Sequence, residues 1–509
     1  MFQEFRVLLL AITLAGLTAA SATPAHAVAV TAGEFFGACP GPIFVSQDTE
    51  ISGAVQIPGD CTVSVDAGFA LTMDRVKLTA GTFRLQGDAS SVSITKSKLS
   101  SSGADGITLD SEGPMTIAES KIVAVAGGIN IPPKGDLLVD GSAISAFGQL
   151  VIGGPGGLRQ IVGSQLSSET EIRLAPGFTP TFQPTSTTID SSTLVSLGSI
   201  KFWGASSYDI LDSRVEALGG GSAIDFGQGA YQRTCNLVDS SFSSPGGNTR
   251  VWGACDFFVQ GTKLDAMGSI DFGLGGTTTL DDASLAAETG PVTWMGGAVT
   301  IDGSDLEGTD LTFGNGGGVA VAASSLQTPG SIRVQTAGPV TFDDSKLTAE
   351  ADSPTALWIT NGSGRSITNS KVKIKNGGAW LIGGGPLVLG NIKLSSKSDE
   401  GLVLEGSSSA NISNSRISTL GQIAARYYDD ISISLTKVKT EGGLGLLAES
   451  GSSGDSTLTE SSIKGPQMAI RSYGSTSAID NKLIIEGTVE LSSVGTCTSS
   501  GNNPDVACF

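Results

Sequence analysis

The chain has 509 residues, a formal net charge of −19, 70 glycines, six cysteines and a single histidine. Such acidity argues against a nucleic acid or an anionic membrane as partner. The histidine, His26, lies in an expected leader, so the mature chain would hold no Ser/His/Asp or Cys/His pair, no histidine metal site and no imidazole base.

Residues 1–27 read as a signal peptide: Arg6, weakened by Glu4, precedes the apolar run VLLLAITLAGL, and Ala25-His26-Ala27 forms a small-residue cleavage site. The run is shorter than the about 18 apolar residues of a membrane span. The expectation is a soluble protein cleaved after Ala27 and found in the periplasm, outside the cell or at its surface, without membrane insertion. In an oxidising compartment the local cysteine pairs Cys39/Cys61, Cys235/Cys255 and Cys497/Cys508 read as disulfides, and no CxxC metal pattern occurs.

From there to the C-terminus one phrase recurs: ITKSKLS, IAESKIV, TIDSSTL, LVDSSFS, TFDDSKL, ITNSKVK, NISNSRI, TLTESSI. Aligned on their aliphatic residue, the repeats give anchors from Leu78, Leu99 and Ile122 through Leu347 and Val372 to Ile463 and Leu483, mostly 20 to 23 residues apart. From Leu99 onward, two residues before the anchor stands Ser or Thr, except at Ala283, Ile392 and Asn481. Three before it is usually Asp, Asn, Glu or Gly, and just before it often Lys or Arg. A second phrase follows each anchor, as in GSIKFWG, SAIDFG and GSIDFG. Its short alternating apolar run bounded by glycine reads as a strand. No window shows helical periodicity.

A period near 22 residues suits a coil of three short strands, about 70 Å of chain wound once around a narrow cross-section. The repeat resembles the right-handed parallel β-helix of the pectate-lyase-like superfamily. The resemblance implies an all-β solenoid of roughly 19 coils over residues 66–490. Residues 28–65 and 491–509 would be the caps that protect the terminal strand edges. Cys235 and Cys255 would then lie nearly one above the other, at a coil spacing of about 4.8 Å that a disulfide accepts.

The paired acids Asp281-Asp282 and Asp343-Asp344 share one repeat position with Ser191, Asp212, Asp239, Asn369 and Asn414. They read as a ladder of turns, because Asp, Asn and Ser bond backbone amides at corners, and not as an acid/base dyad. Asp429-Asp430, after Tyr427-Tyr428, departs from the pattern. On the following strand, parity turns Ile200 and Phe202 inward and leaves Lys201, Asp225, Arg250 and Asp271 outward on successive coils, with Trp203 and Trp252 two coils apart and Gly227 between them. Tyr208, Tyr231 and Arg233 fall nearby, whereas Trp294, Trp358 and Trp380 are of ambiguous parity and are assigned to the core.

If this protein binds anything along its flank, the expected site is residues 195–275, with Trp203, Trp252, Lys201, Arg250, Tyr208 and Tyr231 as ligand contacts. The leading expectation is a non-enzymatic, adhesin-like or envelope-associated monomer that binds a polysaccharide or cell-surface glycan without cofactor or metal. The rival, implied by the resemblance, is a lyase that uses Lys201, Asp225, Arg250 and Asp271 with Ca²⁺ to abstract a proton from a uronate polymer. A purely structural rod is the third. Methylesterase-like Gln47-Asp48-Thr49 stands out of order, the histidine motif of polygalacturonases cannot exist, and GGGSAIDFG has no tandem series of the kind that binds calcium.

Overall fold

A computed structural model describes residues 27–508 except 176–185, 205–206, 228–232, 254, 274, 315, 352–354, 361, 398, 400, 428, 443–444 and 452–453. The expected leader therefore lies outside the described residues. The chain is an all-β parallel solenoid of about 20 turns, and it divides into two compact units, residues 1–147 and 148–509.

Unit 1 opens on the strand Val28–Thr31, which pairs in parallel with Thr49–Gln56. Between them runs the helix Ala32–Phe36, with Thr31 as N-cap and Glu34 closing a capping box. Five residues are too few to give a periodic signal, which is why the sequence showed no helix. Buried Phe36 meets Phe83 edge to face, and Cys39 is bonded to Cys61. The anchors Leu78, Leu99, Ile122 and Ile144 then stack in register.

Within unit 2 the anchors likewise stack in register, from Leu166 and Leu194 through Leu347 and Val372 to Ile463 and Leu483. Each coil uses three strands, as in Val340–Asp343, Lys346–Ala349 and Thr355–Thr360. The core is filled by alternate residues, including an aromatic file in which Phe202 stacks on Phe226 and Trp294 lies between Phe272 and Phe313. Cys497 is bonded to Cys508. Cys235 is buried in its strand, opposite Phe257, while the side chain of Cys255 lies outside the described residues.

One corner explains the repeated phrase. The residue three before the anchor takes a left-handed backbone: φ is 49° at Asp282, 46° at Asp344, 53° at Asn369 and 49° at Asn414. Asp and Asn tolerate this region better than most residues, and glycine does so without penalty. The next residue is a buried Ser or Thr whose hydroxyl accepts the amide of its counterpart one coil earlier. Ser192 N–H donates to Ser213 Oγ at 3.1 Å and Ser345 N–H to Ser370 Oγ at 3.0 Å. Each hydroxyl in turn donates to a carbonyl two residues back, as Ser213 does to Leu211 at 2.6 Å. The column breaks at Ala283 and Ile392, but Asn481 joins it: its Oδ1 accepts from Ser461 N–H and its Nδ2 donates to Leu458.

The paired acids are thus corners, as read. Asp344 is the left-handed residue, and the exposed Asp343 accepts from Thr368 and Asn369, which hold its carboxyl below the ordinary range. Ser213→Ala should lower stability by about 1–3 kcal/mol, the penalty of orphaning a buried amide. Asp344→Val should cost about 1–2 kcal/mol through the strained corner, whereas Asp344→Gly stays within roughly 1 kcal/mol of the parent. Urea unfolding of the three variants checks this order.

Candidate functional site

The second-phrase strands of unit 2 set two outward rows side by side on one sheet. The first row runs Arg173, Lys201, Asp225, Arg250, Asp271 and Thr293 on successive coils. The expected alternation of charge is therefore present, in the expected order. Glu171, from the coil below, draws it together: its carboxylate pairs with Lys201 and with Arg173, and accepts from Ser199 and Gln149. Burial alone would raise Glu171, but the Lys201 ammonium, Gln149 and Arg173 outweigh it and hold the carboxyl below its ordinary range. For Asp225 burial wins and pushes the carboxyl up. The nearby indole N–H of Trp203, Arg250 and Lys201 pull the other way without reversing it. Asp271 accepts from Ser269 and Thr293, and Arg250 donates to Ser222 at 3.1 Å.

The second row alternates large residues with glycine. Trp252 is paired with Gly273, and Met295 with Gly314. A methyl group built on Gly227 would lie 2.1 Å from Trp203 Nε1, one on Gly273 would lie 3.3 Å from the Trp252 ring, and one on Gly314 would lie 3.0 Å from Met295 Sδ. Each large side chain therefore lies across the bare backbone of the following coil. Cations rest against both indoles: Lys201 Nζ at 4.8 Å and Arg173 at 5.0 Å from the Trp203 ring centre, and Arg250 at 4.7 Å from that of Trp252. Both tryptophans are half-buried, with the outward parity that the strand pattern implies.

Other expected contacts are placed differently. Tyr208 is 1 % exposed and faces the core, where its hydroxyl donates to the Leu174 and Trp203 carbonyls. It supports the Trp203 shoulder from inside and offers nothing to the flank. Tyr231 and the side chain of Arg233 lie outside the described residues. Trp294 is in the core, but Trp358 and Trp380 are not. They sit on adjacent rungs of the first outward row, after Arg333, with Trp358 38 % exposed. A register shift between Thr355 and Leu357 adds one residue to the strand of Trp358, which is why its parity was ambiguous in the sequence; the assignment of Trp358 and Trp380 to the core is corrected.

Further along the second row comes a ladder that sequence reading missed: Glu405, Arg426, Glu449 and Arg471, joined by ion pairs of 3.1, 3.4 and 3.1 Å, with Glu490 at 2.8 Å from Arg471. It lines a groove of about 1010 Å³ beside Tyr473, which is 65 % exposed. Buried Tyr427, pushed up to about 12 by burial, lines this groove, and Arg365 donates to the carbonyls of Gly383, Gly385 and Glu405. The parity that isolates Lys201 and Asp225 would have found this ladder had it been followed past the tryptophans. Among the described residues no three His, Cys, Asp or Glu side chains gather as a metal site would require, and no helix is long and apolar enough to cross a membrane.

Residues 292–484 match the family described as the right handed beta helix region. The fold is the right-handed parallel β-helix. No curated protein matches the chain.

Two outcomes follow from the geometry. Gly227→Ala must displace the Trp203 ring and should cost about 1–3 kcal/mol through overpacking, seen as a lower urea midpoint. Glu171→Gln and Asp225→Asn should act with opposite sign. A carboxyl held low in the folded state stabilises above its unfolded pKa and loses that contribution as pH falls through the folded value. Glu171→Gln should therefore destabilise by roughly 1 kcal/mol at pH 7, and the difference should close as pH falls through the carboxylate range. A carboxyl held high opposes folding once ionised, so Asp225→Asn should be neutral or stabilising at pH 7, and its advantage should fade on acidification. Thermal melts across pH distinguish the two.

Proposed function

We propose that this protein is an exported, non-enzymatic β-helix whose flank binds a glycan. The observation that carries the reading is the alternation of Trp203, Gly227, Trp252 and Gly273, with Lys201 and Arg250 against the indoles. Laid over glycine, each indole is a broad, half-buried apolar surface at a two-coil interval of about 10 Å. Such rings stack on the C–H face of a sugar, while the adjacent Arg250 donates to its hydroxyls. Trp358 and Trp380 continue the same sheet with further aromatic surface. Export is supported by the two disulfides, which persist in oxidising compartments.

The lyase reading rests on the raised Asp225 carboxyl between Lys201 and Arg250. Against it, Lys201 is already engaged by Glu171, Arg250 donates to Ser222, and Asp271 is bonded to Ser269 and Thr293. A free cation and an open carboxylate pair, as proton abstraction from a bound uronate requires, are not the arrangement here.

A glycan array probed with the purified protein should give hits that are lost on Trp203→Ala with Trp252→Ala while the melting temperature is held. Binding unchanged in the double variant would remove the tryptophans from the site. Calcium-dependent ultraviolet absorbance of an unsaturated product from uronate polymers would instead establish the lyase.

A further inference from the structure

A second surface of unit 2 goes beyond that reading. The residue just before each anchor stands outward in one column, and from Lys346 on, that column is basic: Lys346, Lys371, Lys393, Arg416 and Lys437 face one another on successive rungs, followed by Ser462 and Lys482. All six cations are exposed. Like charges directly opposite on neighbouring strands repel, so the column works against the stability of the coil that displays it, in a chain of net charge −19.

The same column earlier in unit 2 is different. There Arg214 and Lys263 are each paired with a carboxylate two residues on, Glu216 and Asp265, and Asp305 takes the place of a cation. Beyond Lys346 that flanking position is held by Thr348, Lys373, Ser395, Ser418, Lys439 and Lys464, with no acid among them. The left-handed corners beside the middle of the column are the neutral Asn369, Asn391 and Asn414, where other coils use Asp. The neighbouring strand faces outward with Ser366, Val388, Asn411, Ser432 and Thr457. The corners beside its ends are acidic, Asp344, Glu460 and Asp480, while at the rim Glu350 is engaged by Lys375 and Glu441 by Lys439. From Lys346 to Lys437 the result is a straight line of five cations, one on every coil about 4.8 Å apart, whose middle lies among hydroxyls and amides.

We infer that this column binds a linear acidic polysaccharide, one carrying a carboxylate on each sugar ring. A straight polymer of that kind presents its charges one ring apart, at an interval of the same order as the coil spacing, and its hydroxyls meet the Ser, Thr and Asn side chains alongside. Single-stranded nucleic acid is disfavoured because neither row offers an aromatic side chain on which a base could stack. A second copy of this acidic chain is the other conceivable occupant.

The test is retention of the full-length protein by immobilised polygalacturonate and alginate, with neutral dextran and single-stranded DNA as comparisons. The parent should bind both uronate polymers and not dextran. Lys371→Gln, Lys393→Gln and Arg416→Gln combined should weaken binding roughly tenfold or more and reduce the slope of log affinity against log salt by about two to three. The melting temperature should hold or rise, because repulsion is relieved. The triple variant should keep the array hits that depend on Trp203 and Trp252, so failure here and failure of the tryptophan site are read separately. No uronate binding at low salt, equal binding by the triple variant, or DNA bound as tightly as uronate would each overturn the proposal. Self-association of the parent that the triple variant abolishes would overturn it in favour of a second copy.

Discussion

The constraint on which the rest depends is the backbone ladder between coils, closed at each corner by a buried hydroxyl. A parallel strand satisfies its polar groups only through its neighbours, and a sharp corner interrupts that exchange. The left-handed residue turns the chain, and the following Ser or Thr supplies the missing acceptor, as Ser213 does for Ser192 and Ser370 for Ser345. With that bond in place the next coil starts in register. Every outward residue then inherits a fixed neighbour above and below.

Rigid register is what turns a local sequence choice into a surface. A Lys before one anchor is a solvated side chain, but five before successive anchors are a line of charge. A tryptophan two residues after Lys201 is unremarkable until the coil above offers glycine beneath it. The protein thus carries several surfaces on one scaffold: an aromatic and charged row, a paired ladder of Glu and Arg, and an unpaired basic column. The paired ladder is self-compensating, since Arg426 and Arg471 are each bridged by two carboxylates. The basic column is not, and uncompensated charge on a regular lattice is the form that a charged polymer can read.

Much of this was legible in the sequence because a solenoid repeats its reasons. The anchors, the hydroxyl before them and the left-handed residue before that recur with a period that no single coil would reveal. The order Lys201, Asp225, Arg250, Asp271 followed from period-two parity in strands whose glycine boundaries are regular. Parity was ambiguous where the strand was irregular: a register shift places two consecutive residues, Ala356 and Leu357, inward and turns Trp358 out, with Trp380 on the next rung. Tyr208 was misplaced for a related reason, since closeness in sequence to Trp203 says nothing about which side of the strand it occupies.

By itself, the sequence determined the architecture, the corner chemistry and the terminal cysteine pairs, because each depends on spacing along the chain and on what one residue type can do with its own backbone. Only the tertiary structure decided which charges meet. Lys201 could have served Asp225, but the coil below brings Glu171 to it. The arginines at 426 and 471 are neutralised by neighbours 21 to 23 residues away, while Lys371 and Lys393 have only each other and Lys346 and Arg416 beside them in their column. Electrostatics depends on distance through space, and in a solenoid the nearest charge lies one coil away rather than one residue.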